Sequence, residues 1–407
     1  MNHLKRYWIT YIALIFISVI IIGFYLVDKK EVAFNWKTVS GDEEVVKDVL
    51  IFGEGQSAYG RMVADPFQLS IDESKRIEQP RGFFGSTYQD LQIEKYIDEY
   101  RSFMRGKNQW IENFTETDNQ LIYVNEEVQN WGEQSNLHVE ILNKETEDVT
   151  EFEVPIEEQA HQIYGINSVT ANKDKLYVQV YMEGQYDETA DIYTDENAIL
   201  IIDINDQTIE DIKFPEKDVP LKEGIYTSLM YQDSGLIDGE MNYLYIYEEY
   251  KEDQNGTIVE DVPLKYELQL YNIERDTIKS VDLETNAYGS DFVKIYDGAV
   301  YSGMLQGENY TLMKYDENLK EKEVFDANVL NGDLEVNQED VYPLTNMHNG
   351  YFYIVYPAYS TLTVADISIN AFDMETGENV YQGIIQAEDA MKQYHYFDLY
   401  QLEFKDE

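Results

Sequence analysis

The sequence predicts an all-β protein of six repeated antiparallel meanders, preceded by one transmembrane helix and interrupted by one inserted helix. Three observations predict this. An uncharged apolar run fills residues 8–27, period-two alternation rich in Tyr, Val and Ile fills most of the remainder, and one strand–turn–strand pattern recurs six times. Such alternation marks strands with one buried face.

Residues 8–27 read WITYIALIFISVIIIGFYLV. A helix of this length rises about 30 Å, the thickness of the hydrocarbon layer. Trp8, Tyr11 and Tyr25 sit near its ends, where aromatic rings favour the headgroup boundary. Lys5 and Arg6 precede it, whereas Asp28, Lys29, Lys30 and Glu31 cancel after it. The positive-inside rule then makes 1–7 a cytoplasmic tip, 28–33 a linker and the rest extracytoplasmic. No small residue stands three positions before a cut at Gly23, so an uncleaved single-pass anchor in the cell membrane is expected over a signal peptide.

The hairpins fall at 67–80, 139–155, 200–215, 268–283, 312–326 and 369–384. Each turn carries Asp, Asn, Gly or Thr, which tolerate turn geometry and hydrogen-bond their own backbone. Aromatic strands at 120–127, 175–182, 242–250, 298–305 and 350–356 precede most of them, introduced by turns such as NKDK, YDGA and MHNG. Extended segments such as 165–171 and 291–296 lie upstream. Four strands per unit, repeated six times, are the signature of a six-bladed β-propeller over 34–407; a pair of β-sandwiches is the rival. The C-terminal YHYFDLYQLEF, 394–404, alternates cleanly and is expected to pair with 34–54, closing the ring. Residues 87–105 contain no Gly or Pro and place Ile93, Ile97, Tyr100 and Met104 on one helical face, with Thr87 and Asp90 as a capping pair.

Composition narrows the function. A formal charge of −49 repels phosphate backbones, which argues against nucleic acid as a partner. The absence of cysteine excludes disulfides, thiol catalysis and thiolate metal sites. In a propeller the two–three and blade-to-blade connections share one face. Here these are the long ones, 80–110, 182–197, 248–266, 284–291, 327–340 and 356–367, so that face is the expected docking surface for a protein or cell-wall partner. Two of these loops are acidic. Asp187, Asp191, Asp195, Glu196, Asp253 and Asp261 are the candidate ligands for a cation, calcium first, against the plainer reading of solvated loops. The contiguous calcium-loop pattern fails in both, because Lys251 and Val262 occupy ligand positions one and twelve.

No catalytic motif emerges, so no catalytic residue and no cofactor beyond that calcium is expected. His138, His161, His348 and His395 stand apart from one another, without zinc spacing. The run GEGQSAYG, 53–60, fits neither the dinucleotide pattern nor the nucleophile elbow and reads as a strand-to-loop turn. Tyrosine is abundant, 35 copies against 17 Phe, and suits either packing between sheets or a surface for sugar or peptide. Asn113, Asn255 and Asn309 begin N-x-[ST] sequons, markers of the surface in a secretory protein.

An apolar anchor followed by hairpin repeats resembles membrane-anchored, propeller-like extracytoplasmic proteins of Gram-positive bacteria. The resemblance covers most of 34–404 and lies in architecture, so it transfers no functional residue. The expected function is a non-enzymatic binding, sensory or scaffolding protein tethered to the membrane. The alternatives are a ring-centred hydrolase or lyase, and a cell-wall glycan-binding module.

Overall fold

Turn chemistry sets the register. Asp238–Gly239, Asp297–Gly298 and Asn349–Gly350 each carry two successive left-handed residues, with φ of 53° and 78°, 45° and 70°, and 49° and 81°. This two-residue geometry matches the twist of the flanking strands and selects Asn or Asp followed by Gly. A second turn opens on Asn or Asp and turns left-handed four residues later, at Glu147, Gln207 and Asp276. Asp203 accepts the Asn205 and Asp206 amides at 2.8 and 2.9 Å, and Asn143 accepts those of Glu145 and Thr146 at 2.9 and 3.0 Å.

A computed structural model describes residues 34–57, 65–77, 90–127, 136–156, 163–187, 192–215, 224–253, 258–259, 262–283, 292–306, 308–329, 343–359, 364–388 and 394–405. The expected membrane helix at 8–27 and its flanks, 1–7 and 28–33, lie outside these residues. Among the described residues no helix is long and apolar enough to cross a membrane.

β1 (Phe34–Gly41) precedes a first meander of β2 (Val49–Ser57), β3 (Asp65–Leu69) and β4 (Ser74–Arg76). After helix α1 (Leu91–Glu99) the second comprises β5 (Phe114–Glu116), β6 (Gln120–Glu127), β7 (Asn136–Asn143) and β8 (Val149–Pro155). The third comprises β9 (Ile163–Asn172), β10 (Lys175–Asp187), β11 (Ile192–Asp203) and β12 (Thr208–Lys213). The fourth comprises β13 (Ile225–Ile237), β14 (Glu240–Lys251), β15 (Lys265–Asn272) and β16 (Thr277–Asp282). The fifth comprises β17 (Phe292–Tyr296), β18 (Ala299–Gln306), β19 (Asn309–Tyr315) and β20 (Glu321–Asn328). The sixth comprises β21 (Leu344–His348), β22 (Tyr351–Tyr359), β23 (Val364–Asp373) and β24 (Asn379–Ala387), and β25 (Tyr394–Phe404) ends the described chain. The described residues are therefore all-β apart from α1 and short turns. They form six antiparallel sheets of four to five strands, consistent with a propeller-like fold. All six expected hairpins are present.

The described residues fall into two compact units: those within 34–83, 330–373 and 379–405, and those within 84–329 and 374–378. In the second unit the first strands of successive sheets neighbour one another, β5 beside β9, β9 beside β13 and β13 beside β17. The faces between the second and third sheets meet in an aliphatic core that includes Val124, Val139, Val178 and Leu200.

In the first unit the expected C-terminal pairing is present, but the two ends of the chain exchange sheets. β25 pairs with β2 and completes the first sheet, whereas β1 adds a fifth strand to the sixth sheet beside β24. The alternation of β25 is also broken. Phe52 faces Gln401 and Gly53 faces Leu399, so Tyr400 is an extra residue. This bulge lets Phe397, Leu399, Leu402 and Phe404 all be buried, which strict period two forbids. A Cβ on Gly53 would lie 2.7 Å from Leu399 Cδ2 and 2.8 Å from both Asp398 O and Phe67 Cζ. Gly53 is thus required by close approach inside a strand, and the run beginning at Gly53 is not a turn there.

The inserted helix is shorter than the expected 87–105. Asp90 itself caps it, accepting the amides of Gln92 at 2.8 Å and Ile93 at 3.1 Å, so the chain enters the helix at Leu91. Thr87 lies outside the described residues. Ile93 and Tyr96 are buried, and with Phe103 and Met104 they pack on Phe114, Leu121, Tyr123 and Leu142 of the second sheet.

Candidate functional site

Two places in the second unit gather chemistry-bearing side chains. The first is a cleft of about 250 Å³ at the turn end of the fourth and fifth sheets. The Asp238–Gly239 turn brings Asp238 and Glu240 to its rim, and Ile237 and Leu270 line it with Asn242, Asn272 and Thr277. Asn272 Oδ1 accepts the Arg275 amide at 2.9 Å, which curls that turn back. Arg275 Nη2 then reaches Glu240 Oε1 at 2.9 Å and Oε2 at 2.8 Å, and Asn272 Nδ2 donates to Oε2 at 2.9 Å. The guanidinium, with Asn272, holds the Glu240 carboxyl below its ordinary range. On the facing wall, Lys279 Nζ donates to the Glu317 carbonyl and to Asn318 Oδ1 at 3.2 Å. Hydrogen bonding to Asp238 and its negative charge push the Glu317 carboxyl up. Like-charged carboxylates thus face each other across an open, polar cleft, an arrangement that an incoming cationic group relieves.

The second place is the face of the second sheet that α1 partly covers. Residues opposite one another in an antiparallel pair share a face. The register sets Tyr123, Glu140 and Glu151 in one row across β6, β7 and β8, and Asn125, His138 and Glu153 in the next. His138 Nε2 lies 3.4 Å from Glu140 Oε1, and Lys107 Nζ donates to Glu140 Oε2 at 2.7 Å. The Lys107 ammonium sits 4.1 Å from the Phe103 ring centroid and 5.1 Å from that of Tyr123, so it is held in place from three sides. One ligand atom each from His138, Glu140 and Glu151 lie within 4.8 Å of one another. His138 Nδ1 is buried and has no hydrogen-bond partner among the described residues.

The acidic candidates from the sequence are not assembled into a described site. Asp187 ends β10, while Asp195 and Glu196 lie in β11 opposite Glu183 and Met182. The expected loop 182–197 is therefore largely an extended hairpin arm, with Tyr186 opposite Tyr193. Tyrosine is a strong strand former, which accounts for strand continuing past Met182. Asp191 and Asp261 lie outside the described residues, and Asp253 is exposed just beyond β14. Among the histidines, His348 stacks on Phe404 with centroids 4.2 Å apart, a packing role. Asn113 is no surface marker: it is buried, and its Nδ2 donates to the Val124 carbonyl at 2.6 Å.

Sequence reasoning missed the His138 cluster because it sought pairs of histidines at helical or loop spacing. The usable signal was His-x-Glu at 138–140, which on a strand puts both side chains on one face, with Glu151 returned across the next turn.

No family model matches the chain, and no curated protein matches it. Among solved structures, the periplasmic gluconolactonase of Pseudomonas aeruginosa is 10% identical with a TM-score of 0.37, the match covering 88% of this chain and 99% of that one. The β-propeller domain of the trilobed protease from Pyrococcus furiosus is 15% identical with a TM-score of 0.33, covering 80% of this chain and 76% of that one. Cobalt-substituted Synechocystis ACO is 10% identical with a TM-score of 0.43, covering 92% and 97%. Similarity at this level carries no argument about activity.

Proposed function

We propose that this chain is a non-enzymatic binding, sensory or scaffolding protein, held at the outer surface of a membrane by residues 8–27, with its six sheets arranged as a propeller. The observation that carries the reading is the cleft bounded by Asp238, Glu240, Arg275, Lys279 and Glu317. Its acidic rim, on turns anchored by two sheets, suits docking of a basic side chain from a partner protein. Such a contact is salt-sensitive, because the rim is solvated and a Debye length at physiological ionic strength is about 8 Å.

The test is a cross-linking pull-down of the full chain from native membranes, compared with the Asp238→Lys, Glu317→Lys double variant. The expected outcome is a reproducible partner whose recovery falls at least about tenfold in the variant, equivalent to about 1.4 kcal/mol of binding. Undiminished recovery removes the cleft from the reading, and failure to recover any reproducible partner removes the scaffold itself.

A further inference from the structure

We propose that His138, Glu140 and Glu151 form a zinc site on the second sheet, separate from the acidic cleft. The argument begins with donor type. One imidazole and two carboxylates are a nitrogen–oxygen set that suits zinc, whereas calcium takes oxygen ligands alone. The three residues are preset by register: Glu140 and Glu151 are directly paired, and His138 lies two residues from Glu140 on the same strand face.

The surroundings add two features of a metal centre. Lys107, whose side chain is only 5% exposed, binds Glu140 Oε2 and leaves Oε1 turned toward His138. It orients the carboxylate from behind, as outer partners of metal ligands do. The ring nitrogen of His138 turned toward the carboxylates is Nε2, 3.4 Å from Glu140 Oε1. Around these groups the acids outnumber the bases, with Glu153 opposite His138 as a further carboxylate and Lys107 as the cation bound to Glu140.

The geometry is close to what zinc requires. Ligand atoms about 2.1 Å from a tetrahedral ion lie about 3.4 Å apart. The three ligand atoms lie within 4.8 Å of one another, with His138 and Glu140 already at 3.4 Å, and any contraction falls to Glu151, whose residue is exposed. Three protein ligands leave a fourth position for water.

The experiment uses the full chain stripped by chelator, titrated with zinc calorimetrically and with cobalt(II) as a spectroscopic substitute. The expected result is one zinc per chain and visible cobalt bands shifted by imidazole ligation. Affinity should fall at least tenfold in both His138→Gln and Glu151→Gln, stay unchanged in Asp253→Asn, and resist competition by calcium. Glu151 is exposed, so its variant decides the matter if His138→Gln fails to fold. Absence of binding, equal affinity in the Glu151 variant, or displacement of zinc by equimolar calcium would each overturn the assignment.

Discussion

The two faces of the third sheet are built from different chemistry. Toward the second sheet it presents Leu176, Val178, Val180, Leu200 and Ile202, part of an aliphatic seam. Toward the fourth it presents Tyr177, Ile199 and Ile201, which meet Met241, Tyr243, Tyr245 and Tyr271. The second seam is wired as well as packed. Tyr245 donates to Gln179 Oε1 at 2.9 Å, Gln179 Nε2 reaches Asn197 Oδ1 at 3.5 Å, and Asn197 Nδ2 donates to the Leu229 carbonyl at 3.1 Å. An aliphatic seam is held by buried area, an attraction without direction. A polar chain inside a seam penalises any shift that unpairs it, so it specifies which faces meet. This gives much of the tyrosine along β14 a packing role.

The comparison is broken most severely by truncating the aliphatic side. Leu200→Ala removes a fully buried side chain and should cost about 2–5 kcal/mol in urea unfolding. On the tyrosine side, Tyr245→Phe keeps the ring but strands Gln179 Oε1, and should cost about 1–3 kcal/mol. Tyr243→Phe sharpens the contrast. That hydroxyl is buried without a partner among the described residues, and burial raises its pKa well above the usual value, so its removal should cost nothing or stabilise. Equal losses in the two tyrosine variants would show that the wiring contributes nothing.

The smallest effect concerns an acid beside the aliphatic seam. Glu126 pairs with Leu137, and burial raises its carboxyl above the ordinary range. Its protonated form therefore stabilises the fold below the ordinary glutamate value, and that stability is lost as pH rises through the raised one. Melting curves of Glu126→Gln and the parent should converge in acid and separate at neutral pH, with the variant more stable. A difference that stays constant between roughly pH 4 and pH 8 would contradict this.

The parts of the fold legible in the sequence are those decided locally. Asp238–Gly239 and Asn349–Gly350 announce their turns because only a few residues accept that backbone, and Asp90 with its following apolar positions announces a helix. What the sequence hid depends on distant partners. Nothing near Phe34 says that its strand pairs with Ala387 and leaves Val49–Ser57 to receive the C-terminus. The break in alternation at Tyr400 becomes intelligible only once Phe52 is known to face Gln401 and Gly53 to face Leu399. Of the sites, the acidic loops were visible as charge, whereas the His138 cluster needed the register of three strands and the cleft needed turns from two sheets.

The exchange of chain ends has a mechanical consequence. Tension applied ahead of residue 34 falls first on β1, an outer strand joined to β24 and reinforced by Trp36 Nε1 donating to the Tyr381 hydroxyl at 2.8 Å. If β1 peels away, the sixth sheet still has its own four strands, while β2 stays clamped between β25 and β3. β1 is thus a strand whose release leaves each sheet with four strands.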